Sequence, residues 1–119
     1  MTATGVLRNV TLASVNADVI LGSVTAADDR VDVTAGQEIT DGLATEAANV
    51  TALSAVLLSG TGLGTGDDID TVVTNLEGSG GTGAFNLSND GALTIGGISS
   101  TFGFDAHGPI TVTATSPLT

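Results

Sequence analysis

The chain has 119 residues, thirteen acidic and two basic, and a net charge of −11. That balance repels a phosphate backbone and an anionic membrane surface, so neither nucleic acid nor membrane insertion is expected. The absence of Cys rules out disulfides, thiolate metal sites and cysteine catalysis. Val10-Thr-Leu-Ala-Ser-Val15 reads as a strand, and Asn16-Ala-Asp18 as the turn after it. Val19-Ile-Leu-Gly-Ser-Val24 is a second strand, closed by a turn at Ala26-Ala-Asp-Asp29. Arg30-Val-Asp-Val-Thr-Ala35 alternates with Val31, Val33 and Ala35 on one face. Gly36 ends that run. Ile39-Thr40 and an Asp41-Gly42 turn follow. Leu43 to Asn49 holds helix-friendly residues but is too short for a stable helix, so it is expected to bulge as a loop or make one helical turn.

Val50-Thr-Ala-Leu-Ser-Ala-Val-Leu-Leu-Ser59 is the longest apolar segment and predicts two strands bent around Ser54-Ala55. Its aliphatic stretch is far too short to span a bilayer. Gly60 to Gly66 reads as irregular, Ile69 to Leu76 as strand, and Gly78 to Gly83 as a flexible turn. Phe85 and Leu87 alternate with Asn86 and Ser88, and Asn89-Asp90-Gly91 breaks the run. Leu93 and Ile95 flank Thr94 before Gly96-Gly97 breaks it again. Phe102-Gly-Phe104 and a last strand, Ile110-Thr-Val-Thr-Ala114, complete the set.

Val10, Val31, Val50, Val72, Leu93 and Ile110 recur at spacings of 21, 19, 22, 21 and 17 residues. A period near twenty, with short strands and Gly, Asn or Asp turns in each, predicts an all-β fold: a right-handed parallel β-helix, or β-solenoid, of about five to six coils. At ~4.8 Å per coil it would rise roughly 25 Å. A β-sandwich is the competing fold, but it uses larger core residues and longer strands than this sequence offers. The expected inward set is Val10, Leu12, Val19, Leu21, Val31, Val33, Val50, Leu53, Val72, Leu76, Leu93, Ile95, Ile110 and Val112.

The order of these motifs resembles a repeat unit of the large filamentous-haemagglutinin-like bacterial exoproteins. It is carried by Val10-Thr-Leu-Ala-Ser with Asp18-Val-Ile-Leu-Gly-Ser-Val-Thr-Ala26, by Val31-Asp-Val-Thr-Ala-Gly36 with Ile39-Thr-Asp-Gly42, by Gly62-Leu-Gly-Thr65 with Ile69-Asp-Thr-Val-Val-Thr-Asn-Leu76, and by Leu87 to Ile98. The resemblance covers roughly Val10 to Thr115 and implies a bacterial surface or extracellular adhesin, fibre formation and no enzymatic activity. Two departures stand out. The opening Met1-Thr-Ala-Thr-Gly-Val reads as neither a signal peptide nor a secretion domain, and such proteins run to many repeats. Residues 1–119 are therefore expected to be a single solenoid unit, one repeat of a longer array or a subunit that stacks. The closing Gly108-Pro-Ile-Thr-Val-Thr-Ala-Thr115 also resembles the opening Gly5-Val-Leu-Arg-Asn-Val-Thr-Leu12, as if the unit began again.

Candidate chemistry is sparse. Asp67, Asp68 and Asp70 follow a glycine-rich loop and are the candidate calcium ligands, though without the spacing of an EF-hand, and a solvated turn is the plainer reading. Asp28, Asp29 and Asp32 surround Arg30 and form a weaker acidic group. His107 has Asp105 two residues before it but no nucleophile in view, so no catalytic site and no required cofactor are expected. The glycine-rich loops lack the Lys and the following helix of a phosphate cradle. Thr111, Thr113 and Thr115 form Thr-x-Thr pairs in one coil only. Asn9, Asn49 and Asn86 fit the N-glycosylation triplet. The loops Leu43 to Asn49 and Gly60 to Asp68 are the expected contacts with any host or matrix glycan or protein. The uncharged first and last strands predict head-to-tail self-association.

Overall fold

The computed structural model describes residues 2–3, 9–98 and 103–116. It is all-β, with thirteen strands among the described residues in one parallel sheet wound into a β-solenoid of about five turns. In chain order these are β1 (Thr2–Ala3), β2 (Val10–Ser14), β3 (Val19–Leu21), β4 (Val24–Ala35), β5 (Glu38–Asp41), β6 (Val50–Ser59) and β7 (Gly62–Leu63). There follow β8 (Ile69–Val72), β9 (Asn75–Gly81), β10 (Phe85–Asn89), β11 (Thr94–Ile95), β12 (Phe104–Ala106) and β13 (Ile110–Ala114). The Cα atoms extend 35 × 32 × 30 Å. The molecule is a block rather than a rod, because five coils at ~4.8 Å rise less than a coil is wide.

The strands form three stacks. In the first, Val10 pairs with Val31, Val31 with Ala55, Ala55 with Leu76, and Ile95 with Leu76. It contains β2, the later parts of β4 and β6, β9, and then β11 with β12. The second runs Val19, Ile39, Leu63, Phe85 and Ile110 through β3, β5, β7, β10 and β13. The third runs Val24, Val50, Thr71, Asn89 and Ala114, and β1 adds Thr2 and Ala3 beside Thr25 and Ala26.

Strand formation follows the alternation. Val31, Val33 and Ala35 are all buried on β4, with Asp32 and Thr34 facing out between them. The core is aliphatic, with Phe85 its largest fully buried side chain. The Ala26-Ala-Asp-Asp29 turn is a corner within β4. The register slips between Ala26 and Arg30, and Asp28 takes φ 63°, a left-handed conformation that Asp tolerates. The segment 50–59 turns its corner earlier than expected. Val50 and Thr51 pair with β8, whereas Ser54 onward pairs with β9.

Three members of the expected core are corrected. Leu53 is 50% exposed because it sits at that corner's apex, between the two sets of partners. Val72 is 40% exposed because its neighbours Thr71 and Val73 take the inward phase. Ile110 shares the register of buried Phe85 and so has inward phase, but no described strand follows to cover it. Val10, Leu21, Val31, Val33, Val50, Leu76 and Leu93 are buried as expected, and Leu12, Val19, Ile95 and Val112 are partly buried.

The twenty-residue rhythm also needs correction. Val50 lies on Val24, not on Val31, and Ile110 lies on Phe85, not on Leu93. Thus the resemblance of residues 108–115 to residues 5–12 does not correspond to a shared stack. β13 belongs to the second and third stacks, and β2 to the first. The glycines at 78–81 lie within β9 rather than in a flexible turn. Gly78 is needed there, since a Cβ would stand 2.4 Å from the Phe85 ring. Leu43 to Asn49 contains no helical turn. Phe102 lies outside the described residues.

Candidate functional site

Two regions carry the candidate functions: one corner of the coils and the two ends. The corner lies between the second and third stacks. In the fourth coil the step from Phe85 to Asn89 takes four residues, but Ile39 to Val50 takes eleven and Leu63 to Thr71 takes eight. The extra residues project as two loops, 42–48 and 64–68, one coil apart at the same corner. These coincide with much of the two loops expected to make lateral contacts.

Asn49 closes the corner. It is fully buried, and its Nδ2 donates to Asp41 Oδ1 at 2.7 Å and to the carbonyls of Leu21 and Gly22 at 3.2 Å. Its Oδ1 accepts the Asp70 N–H at 2.8 Å. One amide therefore ties three coils together, which removes Asn49 from use as a glycan acceptor. Asn89 plays the same part lower down, accepting from Thr71 Oγ1 at 2.8 Å and from the Val73 N–H at 3.0 Å. Inward Asn49 and Asn89 are tolerated because their amides are hydrogen-bonded, partly across coils and partly within their own, where Asn49 Nδ2 donates to Asp41 and Asn89 Nδ2 to the Asp90 and Gly91 carbonyls.

The calcium candidates sit at this corner. Asp67 is exposed on the loop, Asp68 is half-buried, and Asp70 begins inside β8. Burial holds the Asp70 carboxyl above its ordinary range, and the nearby charges of Glu46, Asp41, Asp67 and Asp68 add to the effect. Asp41 and Asp70 each keep one buried carboxylate oxygen without a hydrogen-bond partner. Among the described residues, no three His, Cys, Asp or Glu side chains form a group that could hold a metal ion. Beside the corner runs an open groove of about 320 Å³, lined by Glu46, Ala48, Asp70, Thr71, Val72, Ser88, Asp90 and Thr115.

The other singled-out groups are separate from it. Arg30 Nε donates to Asp32 Oδ1 at 2.8 Å, and both remain partly exposed. Asp105, outward on β12, and His107 just beyond it are exposed at the fifth coil. Thr111, Thr113 and Thr115 are exposed on and just after β13. Nothing in the sequence pattern singles out Glu77. It is fully buried although its phase on β9 is outward, and its Oε2 accepts the Ile98 N–H at 2.5 Å. Ile98 is thus tied to β9 in the first stack.

The ends differ. In the first coil Val10 is 4% and Leu21 1% exposed. In the fifth, Ile110 is 45% exposed, and Ile95, Phe104, Ala106, Val112 and Ala114 are only partly buried. Phe104 is held by the Phe85 ring, with centroids 4.6 Å apart. Among the described residues β13 pairs only with β10, so its other edge is free of strand partners.

Comparison with protein-family models, curated proteins and solved structures finds no match for this chain. The likeness in motif order therefore places the chain in no family, and function must be argued from the two regions just described.

Proposed function

We propose that the protein is a structural and adhesive β-solenoid unit that forms or extends a filament by head-to-tail stacking, without catalysis or a required cofactor. The observation that carries this reading is the fifth coil. Its inward-phase side chains are partly uncovered, and among the described residues no strand lies beneath them. A parallel stack repeats its own pairing, so the face that receives a coil from above has the pattern to receive another from below. An interface between unlike ends propagates instead of closing, unless a rotation makes a ring. At −11 per subunit, repulsion opposes the contact at low salt and screening relieves it. Electron microscopy and sedimentation velocity across a salt series test this. Filaments that lengthen with salt are expected, and compact monomers at every salt concentration would defeat the reading.

A second reading is supported by the two neighbouring loops at one corner: an adhesin module that takes a glycan, or a calcium-dependent partner, through residues 42–48 and 64–68. A glycan and protein array probed with and without calcium tests it, and binding that survives shortening of both loops would exclude it. The place of action that fits either reading is the outside of a bacterial cell, a proposal that rests on the order of the sequence motifs.

A further inference from the structure

The three stacks are not equally tall. Among the described residues the first and second have five levels each, β11 and β12 sharing one, and the third has six, because β1 lies on the opening residues of β4. A second copy set below the fifth coil would bring its β2 and β3 into the sixth place of the first two stacks. Its β1 would then arrive at a level of the third stack that the end of β13 already fills. One of the two strands has to leave if all three stacks are to continue in step.

The contacts say which. β1 is held by two register pairs, Thr2 with Thr25 and Ala3 with Ala26. β13 makes five, from Phe85 with Ile110 to Asn89 with Ala114. Its end is fastened further by Thr115, whose N–H donates to the Asn89 carbonyl at 3.2 Å and whose hydroxyl donates to Asp90 Oδ1 at 2.9 Å. The Gly91 N–H in turn donates to that hydroxyl at 2.8 Å. Among the described residues β1 is the more lightly held occupant.

The sequence agrees. Val24-Thr-Ala26 pairs in register with Val50-Thr-Ala52 on one side and with Thr2-Ala3, preceded by Met1, on the other. Val112-Thr-Ala114 carries the same apolar-Thr-Ala pattern. Straight continuation of the registers sets Ala114 over Val24, and a slip of two residues sets Ala114 over Ala26. Both keep inward residues inward, because side chains alternate with a period of two.

We infer that β1 is a displaceable cover over the first coil, and that on assembly the end of β13 from one copy takes its place on Val24–Ala26 of the next. The inference rests on the stacking reading and adds a gate to it. β1 slows elongation until it is pushed aside.

Seeded elongation, followed by light scattering and electron microscopy, tests the gate with two variants. The first lacks Thr2 and Ala3. The second carries Thr2→Cys and Thr25→Cys, at register partners on neighbouring strands in a chain without other cysteines. The shortened chain is expected to elongate several-fold faster than the full chain. The double-cysteine chain is expected to stop when oxidised and to recover with reductant, and that recovery shows that it folds. Oxidised protein elongating at the full-chain rate, or no acceleration on shortening, would overturn the gate and leave stacking intact. Failure of all three proteins to assemble at any salt concentration would overturn both.

Discussion

The first and fifth coils are built from the same kinds of residue in the same phase, and Leu12 and Val19 in the one are partly buried like Ile95 and Val112 in the other, yet their remaining inward side chains are covered to different degrees. Val10 and Leu21 in the first coil are covered almost completely, whereas Ile110 in the fifth is nearly half exposed. Composition does not separate them. Strand partners do not separate them either, since among the described residues β2 and β3, like β12 and β13, each have a strand neighbour on one side only. Ile110 is the most exposed of the inward-phase apolar side chains in these two coils.

Substitutions at the two ends should therefore act on different quantities. Leu21→Ala should destabilise the folded chain by about 2–5 kcal/mol, as for other buried Leu truncations. Ile110→Asp should change monomer stability by less than about 1 kcal/mol, as at exposed positions, yet end assembly. Urea unfolding paired with sedimentation velocity separates the two effects. Equal losses of stability would erase the comparison.

The fifth coil is tied to the fourth through Glu77 and Ile98. Glu77→Ala leaves the Ile98 N–H without its acceptor, which should cost about 1–3 kcal/mol. Hydrogen exchange should show the loss in residues 94–106, with residues 31–41 keeping their protection. Uniform loss along the chain would mean that the coils unfold as one unit.

The smallest effect is electrostatic and lies midway between the ends. Because the Asp70 carboxyl is held above its ordinary range, the folded chain keeps this proton to higher pH than the unfolded chain does. Its contribution to stability is thus favourable at low pH, and it is lost as pH rises from the usual carboxylate range through the raised folded value. Asp70→Asn should raise Tm at pH 7 by about 1–4 °C, with the gain vanishing toward acid. A gain that persists at low pH would point to a cause other than charge.

Much of the fold was legible in the residues. The alternation of Val31, Val33 and Ala35 reports a strand with one buried face, and the recurrence of aliphatic positions near twenty residues reports coils. Which residue lies on which was not legible. Loops of unequal length at the corner between the second and third stacks break the rhythm, so Val50 meets Val24 instead of Val31. The candidate site was half legible. The two loops stand out by composition, but the Asn49 and Asn89 clamps look like ordinary loop residues until the next coil brings their partners.

What the sequence determined by itself is local: period-two strands, turn residues between them, an acidic and thinly aromatic chain, and hence a parallel solenoid core of small aliphatic side chains. Tertiary structure alone decided where Leu53 and Val72 face, because the position of a corner depends on pairing with strands about twenty residues away. It alone made Glu77 a buried anchor, by bringing the Ile98 N–H to its carboxylate. It also left the third stack one strand taller than the others, since strand pairing brings together residues that no local pattern connects.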